Sequence, residues 1–309
     1  MPTWGKLLEE LKPEPDENGN LVQKMDVNQL KRKYLEKLSN LTGRNVIAYY
    51  SGWLKPGKVH NVDINDSDMT GFMNALNGID CSKGLDLILH TPGGDPTATE
   101  GIVKYLRTKF NDIRIIVPQM AMSAGTMLAC AGNSIVMGSH SSLGPIDPQF
   151  NGVPAYNIIE QFKEAKEDLE KNPKSREYWR IQLEKYQPAF IYRLNDAISL
   201  SDTLVKQWLK EYMFAGDDEQ EAEEKIKKIV SVLNSNNKSH AKHFMKQYCI
   251  DLGLKIESLE DNQDLQEAVL SVHHAFIIIF DLTPATKIIE NQIGSCYLTQ
   301  QGQLVTQRR

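Results

Sequence analysis

Cysteine is scarce in this sequence, with four residues in a chain of 309. They are Cys81, Cys130, Cys249 and Cys296, which lie far apart and never at C-x-x-C spacing. Without such pairs, neither a disulfide framework nor a zinc knuckle is indicated. We therefore expect reduced, mostly buried thiols, and we assign no metal and no cofactor.

The sequence also lacks an excess of basic residues and long apolar runs. Lysine and arginine number 35 against 40 aspartate and glutamate, a net charge of −5, which favours neither nucleic acid nor an anionic membrane as a partner. No stretch approaches the ~18 uninterrupted apolar residues of a membrane span, and the N-terminus lacks a signal-peptide core. These absences predict a cytoplasmic protein with no membrane span.

Short apolar runs alternate with helical patterns from Asn45 to about Phe150. Because the apolar runs do not alternate with polar residues, they are typical of a parallel sheet covered on both faces. Beyond Ala155, long charged segments indicate successive amphipathic helices, with Ser201 as the N-cap of the third. We divide the chain into an N-terminal extension (1–44), an α/β core (45–155), a helical continuation (156–260) and a C-terminal extension (261–309).

Two consecutive glycines, Gly93 and Gly94, end one of these apolar runs in "LILHTPGGDPTATEGIVKYL". Glycine permits backbone angles closed to other residues and lets other groups approach the main chain closely. The pair is either an ordinary tight turn or a place where peptide N–H groups face a ligand. At this point both interpretations stay open.

A serine stands at a second junction between a strand and a helix, in "MAMSAGTMLACAG". The helix that follows Ser123 is built almost entirely of small residues and can pack closely. Free N–H groups at a helix start favour a developing negative charge, so Ser123 is a candidate nucleophile as well as a candidate cap. In a parallel sheet both junctions fall at the carboxyl ends of strands, and we expect them to be neighbours.

The segments "HTPGGDPTATEGIVKYL" and "MSAGTMLACAGNSIVMGSHSSLGPIDPQ" resemble the Clp-fold serine peptidases. That superfamily contains the Clp protease, signal peptide peptidase A and the crotonases, and "LGPIDPQ" is most similar to the branch named serine dehydrogenase proteinases. The resemblance implies a Clp/crotonase-like parallel sheet with flanking helices and a mostly helical C-terminal half. It also implies Ser123 as the nucleophile, with Gly93, Gly94 and Ala124 forming the oxyanion hole.

The general base is where the sequence departs from its relatives. The Clp protease has a histidine about 25 residues after the nucleophile, but this chain has Asp147 in the corresponding stretch and no histidine. His240 lies where the Clp protease supplies the triad acid, so Asp147 and His240 are predicted to exchange roles. Both residues could equally be caps of a turn and a helix, and Lys206 is the alternative base. His243 has no third metal ligand at convincing spacing, and His90 and His140 are polar neighbours of the site.

Three classes of function remain open from the sequence. The first is a serine peptidase that cleaves a peptide or protein substrate through an acyl-enzyme. The second is a crotonase-like enzyme acting on an acyl thioester, and the third is a non-catalytic oligomeric scaffold. The resemblance further implies a homo-oligomer, because this fold commonly assembles into rings.

Overall fold

The structure, a computed structural model, describes residues 3–234 and 242–301. A π-helical turn, Leu209–Met213, continues the eighth of its helices. The helices are α1 (Trp4–Glu9), α2 (Val27–Thr42), α3 (Asp68–Ala75), α4 (Pro96–Arg107), α5 (Ala124–Cys130), α6 (Ala155–Lys171), α7 (Arg176–Leu183), α8 (Phe190–Trp208), α9 (Glu219–Leu233), α10 (Lys246–Leu252) and α11 (Gln263–Leu282).

The strands form one large sheet and three small ones. They are β1 (Glu14–Pro15), β2 (Leu21–Val22), β3 (Asn45–Ser51), β4 (Leu85–His90), β5 (Ile113–Val117), β6 (Met120–Ala121), β7 (Ser134–Met137), β8 (Ser142–Leu143), β9 (Gln149–Phe150), β10 (Val153–Pro154), β11 (Phe244–Met245), β12 (Ile256–Ser258), β13 (Ala285–Asn291) and β14 (Cys296–Gln300). The large sheet has seven strands in the order β12-β7-β5-β4-β3-β13-β14. The first five of these run parallel to one another.

Both faces of the large sheet are covered, which confirms the predicted α/β class. Leu87 and Leu89 of β4 point to one face and join the core formed with α3, α4, α5, α8 and α9. Ile88, between them, points to the other face and packs in the core formed with α2 and α11. This is why the apolar run of β4 does not alternate with polar residues.

The C-terminal segment adds two antiparallel strands, β13 and β14, to the parallel part of the sheet. Lys287 of β13 is fully buried and forms an ion pair with Asp68 of α3, its Nζ 2.8 Å from Asp68 Oδ1. The Tyr49 hydroxyl of β3 donates to the other carboxylate oxygen of Asp68 at 2.8 Å. The described residues 261–301 thus share their core with the central strands, and the domain boundaries stay a prediction.

One helix of the described part, α11, is long and apolar enough by composition to cross a membrane. It lies against the sheet, and 67% of its most apolar window is buried inside the protein. Two adjacent histidines, His273 and His274, interrupt its apolar residues, which is why the sequence contains no uninterrupted run of that length. A buried core helix can be as long and as apolar as a membrane-spanning helix, so the composition of α11 alone does not distinguish the two.

The segment predicted as a helical continuation also contains the short strands β11 and β12, and its helices differ from their prediction in two further ways. The segment from Arg176 to Leu200, predicted as one helix, breaks between α7 and α8 at Pro188 and Ala189, where Ala189 has a φ of 63°. The prediction that Ser201 caps a third helix is wrong, because Ser201 lies inside α8. Its hydroxyl donates to Ala197 O, one turn earlier, at 3.2 Å.

Candidate functional site

Ser123 occupies a sharp bend between the short strand β6 and helix α5. Its backbone has a φ of 49° and a ψ of −119°, a conformation that a residue with a Cβ rarely adopts. Such a bend costs about 1–3 kcal/mol and persists only where the surrounding structure enforces it. The bend turns a partly exposed serine out of the line of the strand, as in the strand-turn-helix elbow of hydrolase nucleophiles.

Strand β8, which comes later in the chain, holds the bend in place. Leu143 of β8 pairs in parallel with Ala121, two residues before the serine. Thr126 Oγ1 lies 2.7 Å from Ala121 O and 2.9 Å from Gly144 O, and it accepts from Gly144 N at 2.9 Å. A single buried hydroxyl therefore joins the first turn of α5 to both strands, a role that the sequence analysis missed.

The two glycines lie directly against this bend. A Cβ placed on Gly93 would be 2.7 Å from Ser123 Cβ and 2.9 Å from the Ala124 amide nitrogen. A Cβ on Gly94 would be 2.3 Å from both the N and the O of Ile64. Both glycines also have positive φ angles, of 99° and 153°. No other residue fits either position, so the glycines serve close approach as well as turning.

Short hydrogen bonds fix the orientation of the glycine turn. Ile64 N donates to Gly93 O at 2.7 Å, and Asp95 N donates to Ile64 O at 2.8 Å. The Asp95 side chain accepts from two amides of the first turn of α4, those of Thr97 and Ala98, so the helix begins at once after the turn. Ile64, which bridges to Gly94, is a contributor that no sequence motif singles out.

Two amides beside Ser123 remain available to a ligand. Within residues 3–234 and 242–301, the Gly94 and Ala124 N–H groups donate no hydrogen bond to another protein group. Ala124 is fully buried and Gly94 is partly buried, and amides that are buried without a partner are uncommon in folded proteins. Their positions, one on the glycine turn and one directly after the serine, fit the binding of an oxygen atom that develops negative charge.

Asp147 lies on the segment that leaves β8 beside the serine. A Cβ on Gly144, three residues earlier, would be 2.6 Å from Met122 Cε, which places this segment next to the bend. Asp147 is buried, with 5% of its surface exposed. Burial, together with the charges of Asp202 and Asp147, raises the pKa of the Tyr156 phenol at the start of α6. The structure thus brings Asp147 to the side of the site that faces α6 and α8.

The two predicted bases have different outcomes. His240 lies outside the described residues, so its prediction is untested. Lys206 stands on α8 with half of its side chain exposed and its Nζ 4.0 Å from Asp202 Oδ2. Because a lysine acts as a base only when burial or nearby charge removes its proton, this position does not favour Lys206. It stays an untested alternative.

Two of the remaining histidines lie in different parts of the structure. The His243 Nδ1 lies 2.9 Å from the Ser142 hydroxyl of β8, and His90 is buried at the end of β4. Within the described ranges no three histidine, cysteine, aspartate or glutamate side chains are grouped so that they could hold a metal ion. The four cysteines are free thiols.

Comparison with known families now bears on this geometry. Residues 22–174 match the family described as ClpP-like SDH-type serine proteinase. These residues belong to that family. The matched span contains both glycines, Ser123 and Asp147, whereas Lys206 and His240 lie beyond it. The matched residues are thus those of a serine proteinase family with a Clp-like fold.

Two curated relatives come from Methanocaldococcus jannaschii. The uncharacterized protein MJ0137 is 37% identical over 107 residues, which is 35% of this chain and 37% of the relative. The uncharacterized protein MJ1495 is 40% identical over 78 residues, which is 25% of this chain and 27% of the relative. The chain thus matches about a third of the length of these relatives.

A solved structure, that of a mutant of the 1510-N membrane-bound stomatin-specific protease, is similar to this chain. The similarity covers 67% of this chain and 79% of that one, with 17% sequence identity and a TM-score of 0.35. A likeness of that size carries no argument about substrate or mechanism.

Proposed function

We propose that this protein is a serine peptidase that cleaves a peptide bond through an acyl-enzyme on Ser123. The observation that carries the proposal is a pair of amides without a hydrogen-bond partner among the described residues: the Gly94 N–H on the glycine turn that packs against the strained Ser123, and the Ala124 N–H directly after that serine. The serine hydroxyl attacks the carbonyl carbon of the substrate, and the two amides bind the oxygen of the tetrahedral intermediate. Collapse of the intermediate expels the amine, and water then releases the acyl group.

Proton transfer in this scheme needs a base that takes the serine proton and returns it to the leaving amine. We propose that His240 is the base and that Asp147 orients it, with Lys206 as the alternative. Burial of Asp147 beside the bend supports its part, because a buried carboxylate can hold an imidazole in one orientation. We also propose a homo-oligomer in the cytoplasm as the working form.

Covalent labelling with a fluorophosphonate probe tests the nucleophile without knowledge of the natural substrate. Wild-type protein should be labelled, and Ser123→Ala should not, because the probe reacts only with an activated hydroxyl. Ser139→Ala, which removes an exposed serine hydroxyl, is the matched control and should be labelled like wild type. Full labelling of Ser123→Ala would show that the nucleophile lies elsewhere.

A pair of glycine variants tests the oxyanion hole. Gly94→Ala forces a methyl group into the Ile64 backbone and should slow labelling by about 100-fold or more, the effect of losing one such donor. Gly101→Ala is the control, because the added methyl there meets only Met69 Cε at 3.5 Å. Equal labelling rates in the two variants would mean that the glycine turn has no part in the reaction. Circular dichroism of each variant checks that the fold is retained.

A further inference from the structure

A cavity of about 240 Å³ lies on the α11 side of the sheet, at the end of β4 that carries the glycine turn. Imidazoles and other polar groups line much of it. The lining includes His90, Gln119, His273 and His274, together with Lys55 and Asp281. We call His90, His273 and His274 the histidine cluster. None of these residues takes part in the proposed reaction.

His90 is the central member of the histidine cluster. Only 1% of its surface is exposed, and neither ring nitrogen has a hydrogen-bond partner among the described residues. Aromatic rings surround it, with ring centroids of Trp53 at 4.3 Å, Tyr50 at 5.4 Å and His273 at 5.2 Å. Burial lowers the pKa of His90 to about 3, so the imidazole is neutral at pH 7.

Burial and the neighbouring imidazoles oppose protonation of the histidine cluster. Burial lowers the pKa of His273 well below its ordinary value, and the charges of His90, His274 and His140 lower it further. Lys55 brings a positive charge, and its amine donates to two carbonyls at the end of α11 and the start of β13. Asp281 is the one acid among the residues that line the cavity, and its charge acts on Lys55.

The histidine cluster is connected to the glycine turn by a single residue. Thr91, which follows His90, donates its N–H to Met120 O at 3.1 Å and accepts from Met122 N at 3.0 Å. Its hydroxyl accepts from Gly93 N at 3.1 Å. A movement of His90 toward solvent would therefore pull on the bonds that align the turn with Ser123.

We propose that the histidine cluster is an acid-sensitive element that positions the turn of residues 91–94. When protons bind, the imidazoles move from their buried positions into the cavity and become solvated. The hydrogen bonds that hold the turn of residues 91–94 then break more often. The consequence for activity rests on the proposed function, because the turn matters to the reaction only if the Gly94 amide binds the substrate carbonyl. In this mechanism His90 is a positioning residue and does not touch the substrate.

The size of the effect follows from proton linkage. A solvated imidazole has a pKa of ~6.5, so at pH 5 its protonated form exceeds the neutral form by about 30-fold. Each imidazole that is neutral when buried and becomes solvated on opening therefore shifts the equilibrium toward the open turn by about 30-fold between neutral pH and pH 5. With His90 and His273 both released, the shift approaches ~1,000-fold.

Amide hydrogen exchange in the Ser123→Ala variant tests this inference separately from catalysis. Protection of the segment 91–95, corrected for the intrinsic pH dependence of exchange, should fall at least 10-fold from pH 7.5 to pH 5. In His90→Phe, which keeps a buried ring without a titrating group, the fall should be about 30-fold smaller than in the starting protein, because only His273 still contributes. His60→Phe, at an exposed histidine, is the control and should keep the full fall.

A second variant covers the case in which His90→Phe does not fold. His273→Leu removes one titrating ring and should make the pH dependence of protection less steep. Equal protection at the two pH values in the starting protein, or an unchanged pH dependence in the folded variants, would overturn the inference. Absence of probe labelling in wild type at pH 7.5 would instead overturn the proposed function and leave the exchange result standing.

Discussion

Ser123→Gly should give a more stable protein than Ser123→Ala, because the bend at this position suits glycine. With a φ of 49° and a ψ of −119°, backbone strain destabilises any residue that has a Cβ by about 1–3 kcal/mol. This strain is the same for alanine as for serine. Glycine removes that strain but loses ~0.4–1 kcal/mol through the greater freedom of the unfolded chain. The net difference in the free energy of unfolding should be about 1–2 kcal/mol in favour of glycine.

Thermal and urea unfolding of the two variants measure this difference, which corresponds to roughly 1.5–3 °C in Tm for a chain of this size. Both variants lack the hydroxyl, so loss of activity does not enter the comparison. The matched pair is Ser139→Gly and Ser139→Ala, at a residue with no positive φ, where glycine should be the less stable. If Ser123→Gly is also less stable than Ser123→Ala, the bend stores no strain.

Three further predictions concern the core, the base and the thiols. Lys287→Met should lower the free energy of unfolding by about 3–5 kcal/mol, because it leaves Asp68 buried without its cation, and adding Asp68→Asn should restore part of the loss in urea unfolding. If His240 is the base, the labelling rate of wild type should rise with pH through ~6.5, because the imidazole loses its proton there. His240→Ala should then slow labelling strongly, whereas Lys206→Ala should not. The reverse ranking of the two variants would favour lysine as the base. Burial raises the pKa of Cys249 to about 12 and also raises that of Cys130. A maleimide at pH 8 should therefore modify Cys81 at least about 100-fold faster than Cys130 or Cys249. Equal rates for the three thiols would contradict the burial of Cys130 and Cys249.

Local signals in the sequence were sufficient to predict four of the five parallel strands, β3, β4, β5 and β7, but not β12, which lies within the segment predicted as helical. The apolar runs that end at His90 and Val117 are buried strands because helices cover both of their sides. The C-terminal strands β13 and β14 could not be assigned in the same way. Their place in the sheet depends on contacts far away in the sequence, such as the pairing of Lys287 with Ser51 and its ion pair with Asp68. No local pattern encodes those contacts.

The same distinction applies to the candidate site. Paired glycines and a serine at a strand-helix junction are visible in the sequence, because backbone conformation restricts which residues can stand there. Ile64 and Thr126 were missed, since an isoleucine in a loop and a threonine in a helix have many ordinary roles. Their importance comes from the atoms that they meet, the Gly93 carbonyl in one case and the Gly144 backbone in the other.

The two halves of the proposed machinery rest on different kinds of structure. The oxyanion hole and the nucleophile come from main-chain positions within residues 22–174, where strand ends and close packing hold them in place. A base needs only a nitrogen at the right distance, which side chains from several elements can supply. Asp147 is the one predicted member of the base system that lies inside the matched span, and it is buried next to the bend. In the proposed mechanism the oxyanion hole is therefore fixed by the fold, whereas proton transfer depends on what the chain beyond residue 174 brings to Asp147.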